Sequence, residues 1–373
     1  MTKSEKSEVP QLARRFGLNR RQFLAAGTGL AATTAVSGAI GSMTPAAAAD
    51  GTLVPPGKRG IILYTVRDAI GRDPLGTDLP SGFREVLAEL ARIGYKQVEF
   101  AGYRQHGNAD GGANLDTVEG ATLLRSWLDD HGLEAEGNHG SIPGSITPTT
   151  LAQFDRACEI ANILGLGHIG TGGDPTGSSY VADWDAAAER WNTLGRRAAG
   201  HGLKLYTHNH DTAYNFLLDS GPLDDQGRPT RSSGIRRLEY FLTQTDPDHV
   251  YLEMDIYWAH VAQHRFHTYT APDGTSRTSI FDPLGVVKAQ PIRFPLFHAK
   301  DGRRNPASSA GYEMVPFGQG DIDYQTFFSQ MGAKGYHNSM YEQDNASSYP
   351  SPSPDASLSN AASSYQEMAA LRG

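Results

Sequence analysis

The chain has one cysteine, Cys158, in 373 residues. No internal disulfide can form, so the fold must be held by its own packed core even in an oxidising compartment. Cys158 itself is expected as a buried apolar residue on a helix. Basic residues are the minority, 33 Lys and Arg against 41 Asp and Glu, for a formal net charge of −8. A surface of that sign repels phosphate backbones and anionic lipid, which disfavours nucleic-acid and membrane-surface partners and makes a neutral small molecule the easier ligand. Also missing is a Gly-rich phosphate loop between the first expected strand and the first helix, which argues against an open nucleotide-binding sheet.

What the chain carries first reads as an export signal. Asn19-Arg20-Arg21-Gln22-Phe23-Leu24 is a twin-arginine pair with apolar followers, an uncharged stretch rich in Ala, Gly and Thr runs from Leu24 to Met43, and Ala47-Ala48-Ala49 suits a small-residue cleavage site. Residues 1–49 are expected to be a signal peptide for the twin-arginine export machinery, giving a secreted or periplasmic protein. The stretch is too weakly apolar for a stable membrane anchor, and no Cys lies near the cleavage site to take a lipid. This route carries folded proteins, so a metal can be loaded before export. The segment holds six Lys or Arg and two Glu, net +4, so its removal takes the formal charge from −8 to −12 and leaves 324 residues, 50–373, as a single domain.

From Gly60 onward one unit repeats: an apolar strand, a polar loop, an amphipathic helix, and a Gly before the next strand. Helix exits at Ile93-Gly94, His131-Gly132, Leu164-Gly165, His201-Gly202 and Lys334-Gly335 make the repeat visible, because Gly supplies the left-handed residue that ends a helix. Eight strands are expected, at 60–64, 97–100, 133–138, 168–170, 204–208, 250–255, 295–298 and 338–342. Helical periodicity covers 83–93, 123–131, 154–164, 186–199, 235–242 and 324–331. Short apolar strands alternating with helices predict parallel βαβ units, and eight of them close most simply into a (β/α)8 TIM barrel. Two helix-poor insertions, Asp219 to Ser233 and His264 to Asp282, are expected as long loops over the barrel mouth. Ser347 to Ser359, with three Pro, is expected as a solvated connection to the last helix.

Four of the strand ends abruptly deliver His, Asp or Glu: Tyr206-Thr207-His208-Asn209-His210, Glu253-Met254-Asp255-Ile256-Tyr257-Trp258, Phe297-His298-Ala299-Lys300-Asp301 and Tyr341-Glu342-Gln343-Asp344. Residues two apart on a strand share a face, so His208 and His210 are expected to point the same way. Parallel strands that bring these ends together make a mixed nitrogen and oxygen site for a divalent metal. Taken alone, a strand-end His is more often a satisfied polar residue than a ligand.

From Leu63-Tyr64-Thr65-Val66-Arg67-Asp68 to the end, the chain resembles the sugar phosphate isomerase/epimerase family, the xylose isomerase-like TIM barrels. The matching stretches include Gly94-Tyr95-Lys96-Gln97-Val98-Glu99-Phe100, His208-Asn209-His210, Met254-Asp255-Ile256-Tyr257-Trp258, Arg293 to Asp301, Val315 to Asp323 and Tyr341-Glu342-Gln343-Asp344. The resemblance implies a divalent metal held from the ends of strands five to eight by His208, Asp255, His298 and Glu342. Many isomerases of the family have Glu where His208 stands, and His210 is the rival ligand there. Two imidazoles and two carboxylates suit Mn, Zn, Co or Fe, with Mn placed first, over Mg or Ca.

The resemblance further implies a small carbohydrate or cyclitol substrate and proton abstraction next to a carbonyl through an enediolate, as a sugar isomerase or epimerase. Glu342, His210 and Lys300 are the catalytic candidates. Glu99, His139 and Trp258 are the candidates for contacts to substrate. With His208 in place of the strand-five carboxylate, a single base remains, which suits a second reading: a dehydratase or lyase acting on a keto-inositol or 3-keto-glycoside. A third, of another class, is a non-catalytic exported sugar-binding protein. The endonuclease branch of the same barrel fits poorly, since the chain is acidic. Arg67 and Arg293 are expected to be structural.

Overall fold

The structure is a computed structural model, and it describes residues 51–373. The expected signal peptide lies outside the described residues. Eight parallel strands form one sheet: β1 Arg59–Ile62, β2 Gln97–Phe100, β3 Glu134–Asn138, β4 His168–Thr171, β5 Lys204–Thr207, β6 Val250–Asp255, β7 Leu296–Ala299 and β8 Asn338–Tyr341. Consecutive strands are neighbours, and β1 pairs with β8 through Arg59–Ser339, Gly60–Met340 and Ile61–Tyr341. The seam between β3 and β4 is bridged by the single pair His139–Gly170, with Gly140 N donating to Gly170 O at 2.9 Å. The result is a nearly closed (β/α)8 barrel.

Helices pack around it as α1 Gly82–Ile93, α2 Val118–His131, α3 Pro148–Leu164, α4 Val181–Gly200, α5 Arg237–Gln244, α6 Ile256–Arg265, α7 Pro283–Ala289, α8 Tyr324–Gln330 and α9 Ala356–Ala370. Their ends follow from local chemistry. Thr147 closes a capping box with Thr150 ahead of Pro148, and Gly165 ends α3 in the left-handed conformation at φ +77. Helices α2, α3 and α4 start five or six residues earlier than apolar periodicity suggests, the first two at the capping side chains of Thr117 and Thr147. Cys158 is fully buried on α3. No helix of the described residues is long and apolar enough to cross a membrane.

The two insertions differ from expectation. Each holds a β-hairpin, Ser220–Leu223 with Pro229–Arg231, and Thr268–Thr270 with Ser276–Thr278. Gly227 and Gly274 supply their turns at φ +74 and +86. The hairpins lean on one another, with Ser232 N donating to Thr270 O at 3.0 Å and the rings of Phe216 and Tyr269 4.6 Å apart. A third hairpin, Asp301–Arg304 with Tyr312–Val315, follows β7 directly.

Inside the barrel the side chains form layers. At the amino-terminal end of the strands, Gln97 donates to Glu136 and Asn338, and Lys58 donates to Asn338 at 2.6 Å. Above lies a thin apolar layer of Tyr206, Leu296 and Met340. Strand glycines give it room: a Cβ at Gly137 would sit 2.9 Å from the Tyr206 hydroxyl, and one at Gly170 2.7 Å from the Tyr206 ring. Above that lie the ionisable side chains of Glu99, Glu253 and His298 and then the strand-end cluster.

Candidate metal centre

His208 directly follows β5, Asp255 ends β6, His298 lies in β7 and Glu342 directly follows β8. One donor atom from each falls within 4.8 Å of the others, and all four residues are buried. His208 Nε2 lies 3.1 Å from His298 Nδ1 and 3.5 Å from Asp255 Oδ2. His298 Nδ1 lies 2.8 Å from Glu342 Oε2 and 3.9 Å from Asp255 Oδ2. Donors bound to one cation at roughly 2.0–2.2 Å stand about 3 Å apart, so these spacings suit a coordination shell. Asp255 Oδ2, which faces the cluster, is buried without a hydrogen-bond partner, an arrangement that is costly unless something else satisfies it.

Two of the four candidate ligands, Asp255 and His298, are oriented by specific contacts. Asp255 caps α6, its Oδ1 accepting from Trp258 N at 2.9 Å, which turns Oδ2 to the cluster. Asn209, between the two histidines of the strand-five motif, is buried and exchanges hydrogen bonds with the Asp255 backbone at 3.1 and 3.3 Å. His298 faces the cluster with Nδ1 and the barrel interior with Nε2, which lies 3.0 Å from Glu99 Oε2.

Burial is the largest influence on every one of these groups. It pushes the Asp255 carboxyl up to about 7, with the nearby Lys300 ammonium only partly offsetting it. Burial, reinforced by the imidazoles of His298 and His139, holds His208 well below its ordinary value and therefore neutral, as a ligand must be. On Glu342 burial acts upward, but Lys300 and His298 outweigh it and keep the group ionised. On His298 burial opposes protonation, and Glu253 and Glu342 overcome it, holding the group well above the usual histidine range, so a cation binding at Nδ1 would have to displace a proton.

The other candidates divide between the mouth and the interior. Lys300 is 1 % exposed, with Nζ 2.8 Å from Asp344 Oδ1, 3.1 Å from Glu342 Oε2 and 3.4 Å from Asp255 Oδ2. Asp301, its neighbour in sequence, turns away to accept from the amides of Gly302, Gly318 and Gly320. His210 is exposed at the rim, its ring 5.2 Å from His208 and 5.6 Å from Trp258. Trp258 is half-buried, and the Lys300 ammonium stands 5.2 Å from its ring centre. His139 is half-buried, with Nε2 2.7 Å from Glu253 Oε2. Glu99 lies at 0 % exposure beneath the cluster, one oxygen engaged by the Tyr206 hydroxyl and the other by His298. Arg293 is buried against Thr245 Oγ1 at 2.9 Å, and Arg67 clasps the carbonyls of Tyr64 and Asp344.

Sequence reasoning passed over Glu253 and Asp344. Both signals were present, since Glu253 stands two residues before Asp255 and Asp344 two after Glu342, sharing a face with each ligand.

The chain belongs to the xylose isomerase-like TIM barrel family, whose model matches residues 87–363. Among solved structures it is similar to a sugar phosphate isomerase/epimerase from Parabacteroides distasonis, at 22% identity and TM-score 0.55, covering 85% of this chain and 96% of that one. It is also similar to AsbF, the probable 3-DHS dehydratase of petrobactin synthesis from Bacillus anthracis, at 13% identity and TM-score 0.53, covering 82% and 97%. A third is the IOLI protein with a bound zinc atom, at 12% identity and TM-score 0.55, covering 85% and 99%. At these identities the likeness shows a shared fold. No curated protein sequence matches the chain.

Proposed function

We propose that the protein is a divalent-metal-dependent enzyme that moves a proton at the carbon next to a carbonyl of a small carbohydrate or cyclitol, as a sugar isomerase or epimerase. The carrying observation is the convergence of His208, Asp255, His298 and Glu342 within one coordination shell at the carboxyl ends of consecutive strands. Those residues would hold the cation. Their two imidazoles and two carboxylates support Mn, Zn, Co or Fe ahead of Mg or Ca, with Mn first. When bound, the ion supplies Lewis-acid stabilisation of the substrate oxygen that gains charge as the neighbouring C–H bond breaks.

The remaining work falls to this chain's side chains. Glu342, held ionised, takes the proton from carbon. Lys300, kept charged against burial by Glu342, Asp255 and Asp344, donates hydrogen bonds to substrate oxygen. His210 at the rim relays a proton to solvent, and Trp258 offers an aromatic wall to the apolar face of a sugar ring.

A second reading rests on the placement of Lys300. Its ammonium stands 3.1 Å from Glu342, so a base and an acid share one side, with His208 where an opposing carboxylate would stand. In an elimination Glu342 takes the α proton, the C–H electrons form the double bond, and Lys300 protonates the departing β oxygen. We also propose that residues 1–49 export the folded, metal-loaded protein by the twin-arginine route.

The test is incubation of metal-replete protein with free ketoses, a keto-inositol and 3-keto-glucosides in deuterated buffer. Deuterium entering at carbon without loss of a group supports isomerisation, and an unsaturated product supports elimination. Neither outcome across the panel, with sugar binding retained, would identify a non-catalytic binder. Glu342→Gln should slow exchange by roughly 10²–10⁴-fold, the usual cost of removing a general base.

A further inference from the structure

A second set of four potential ligands, Glu99, His139, Glu253 and His298, lies immediately inside the barrel from the first. His298 belongs to both sets, through opposite ring nitrogens. Three of the four carboxylate oxygens of the inner set are engaged by protein: Glu99 Oε1 accepts from the Tyr206 hydroxyl, Glu99 Oε2 lies 3.0 Å from His298 Nε2, and Glu253 Oε2 lies 2.7 Å from His139 Nε2. Glu253 Oε1 is 3.2 Å from His298 Nε2 but off the line of its N–H, so it contributes charge, and Glu99 is the hydrogen-bond acceptor. Both carboxylates are at 0 % exposure. Their oxygens face protein side chains, so their nearest route to the site is through those neighbours.

Resting on the metal reading above, we propose that Glu99, backed by Glu253, is a positioning residue for the metal. It keeps the ring proton of His298 on Nε2, so that Nδ1 presents its lone pair to the shell formed with His208, Asp255 and Glu342. A histidine ligand is oriented and made more basic when its other ring nitrogen donates to a carboxylate. The support is built into the barrel wall. Gly137 on β3 leaves the space in which Tyr206 reaches Glu99, since a Cβ there would lie 2.9 Å from the Tyr206 hydroxyl and 3.1 Å from Glu99 Oε1. Tyr206 thus fixes Glu99, Glu99 fixes His298, and His298 faces the ion. The inner set is then the scaffold of one metal site and does not hold an ion of its own.

The test is titration of metal-free protein with Zn²⁺ and Co²⁺ against a competing chelator, for the wild type, Glu99→Gln, Glu253→Gln and Tyr206→Phe. The wild type should bind one ion per chain, and Glu99→Gln should weaken binding about 10–100-fold, the size of effect that removing such a partner has elsewhere. The Co²⁺ visible spectrum should shift in Glu99→Gln, a change that lost packing alone would not produce. Folded variants that bind within about threefold of the wild type with an unshifted spectrum would overturn the inference while leaving the metal reading intact. Two ions per wild-type chain would overturn it as well, and no ion at all would overturn both. Should the variants fail to fold, ring ¹⁵N shifts of the Zn-loaded wild type decide: a proton on His298 Nε2 supports the inference, and a proton on Nδ1 refutes it.

Discussion

Asp255 serves two neighbours with its two carboxylate oxygens, Oδ1 capping α6 and Oδ2 facing the cluster. That division explains why a strand end that runs straight into a helix is a good place for a ligand: the helix amide fixes one oxygen and so aims the other. A contrasting residue is His168 at the far end of the barrel, whose Nδ1 donates to Glu136 O at 2.9 Å while Nε2 has no partner. Burial holds its pKa down to about 4. The unfolded chain takes up a proton near pH 6.5 and the folded one only near 4, so the stability this residue contributes is complete above the upper value and lost as pH falls towards the lower. The total is of order 3 kcal/mol. Urea midpoints of wild type and His168→Gln at pH 7, 6 and 5 should converge as pH falls, and parallel curves would contradict this. At this scale the sequence disclosed the four side chains that cluster, since each ends an apolar run with a competent donor. It did not disclose Glu253 as a partner of His139 and His298, because that pairing crosses strands and depends on barrel stagger.

At the scale of elements, the repeat of strand, helix and glycine carried most of the architecture. β2 and β6 have the bounds that their sequence suggested, and the other strands differ by a residue or two at an end. The hairpins were less legible. Asp273-Gly274 is a turn signal, but its flanking strands are only three residues long, and Ser276–Thr278 is exposed throughout, too little for the alternation that marks a half-buried strand. Strand glycines are the other lesson of this scale. Gly170 faces Tyr206 across β4 and β5, and its Cβ would press on both the ring and the backbone carbonyl. Gly170→Ala should cost about 1–3 kcal/mol by overpacking, measured as a lowered urea midpoint. Gly144→Ala, where a Cβ meets nothing within 4 Å, should leave the midpoint almost unchanged.

For the whole molecule, closure decides the chemistry. Eight strands in one cylinder bring residues 99, 208, 255, 298 and 342 to a single lumen, and no local pattern states that distance. If the cluster holds an ion in the folded state only, binding stabilises the fold by about 2.7 kcal/mol at a hundredfold excess of free metal over Kd. Chelation should therefore lower the thermal midpoint and abolish activity together, with both restored by Mn²⁺ or Zn²⁺. An unchanged midpoint with no metal found by elemental analysis would remove the metal centre.

The apolar layer of Tyr206, Leu296 and Met340 stoppers the cylinder below the ionisable layers. If the strand-end cluster is the active site proposed above, it is a cul-de-sac: substrate and product share one door at the carboxyl ends of the strands, and added product should compete with the next arrival.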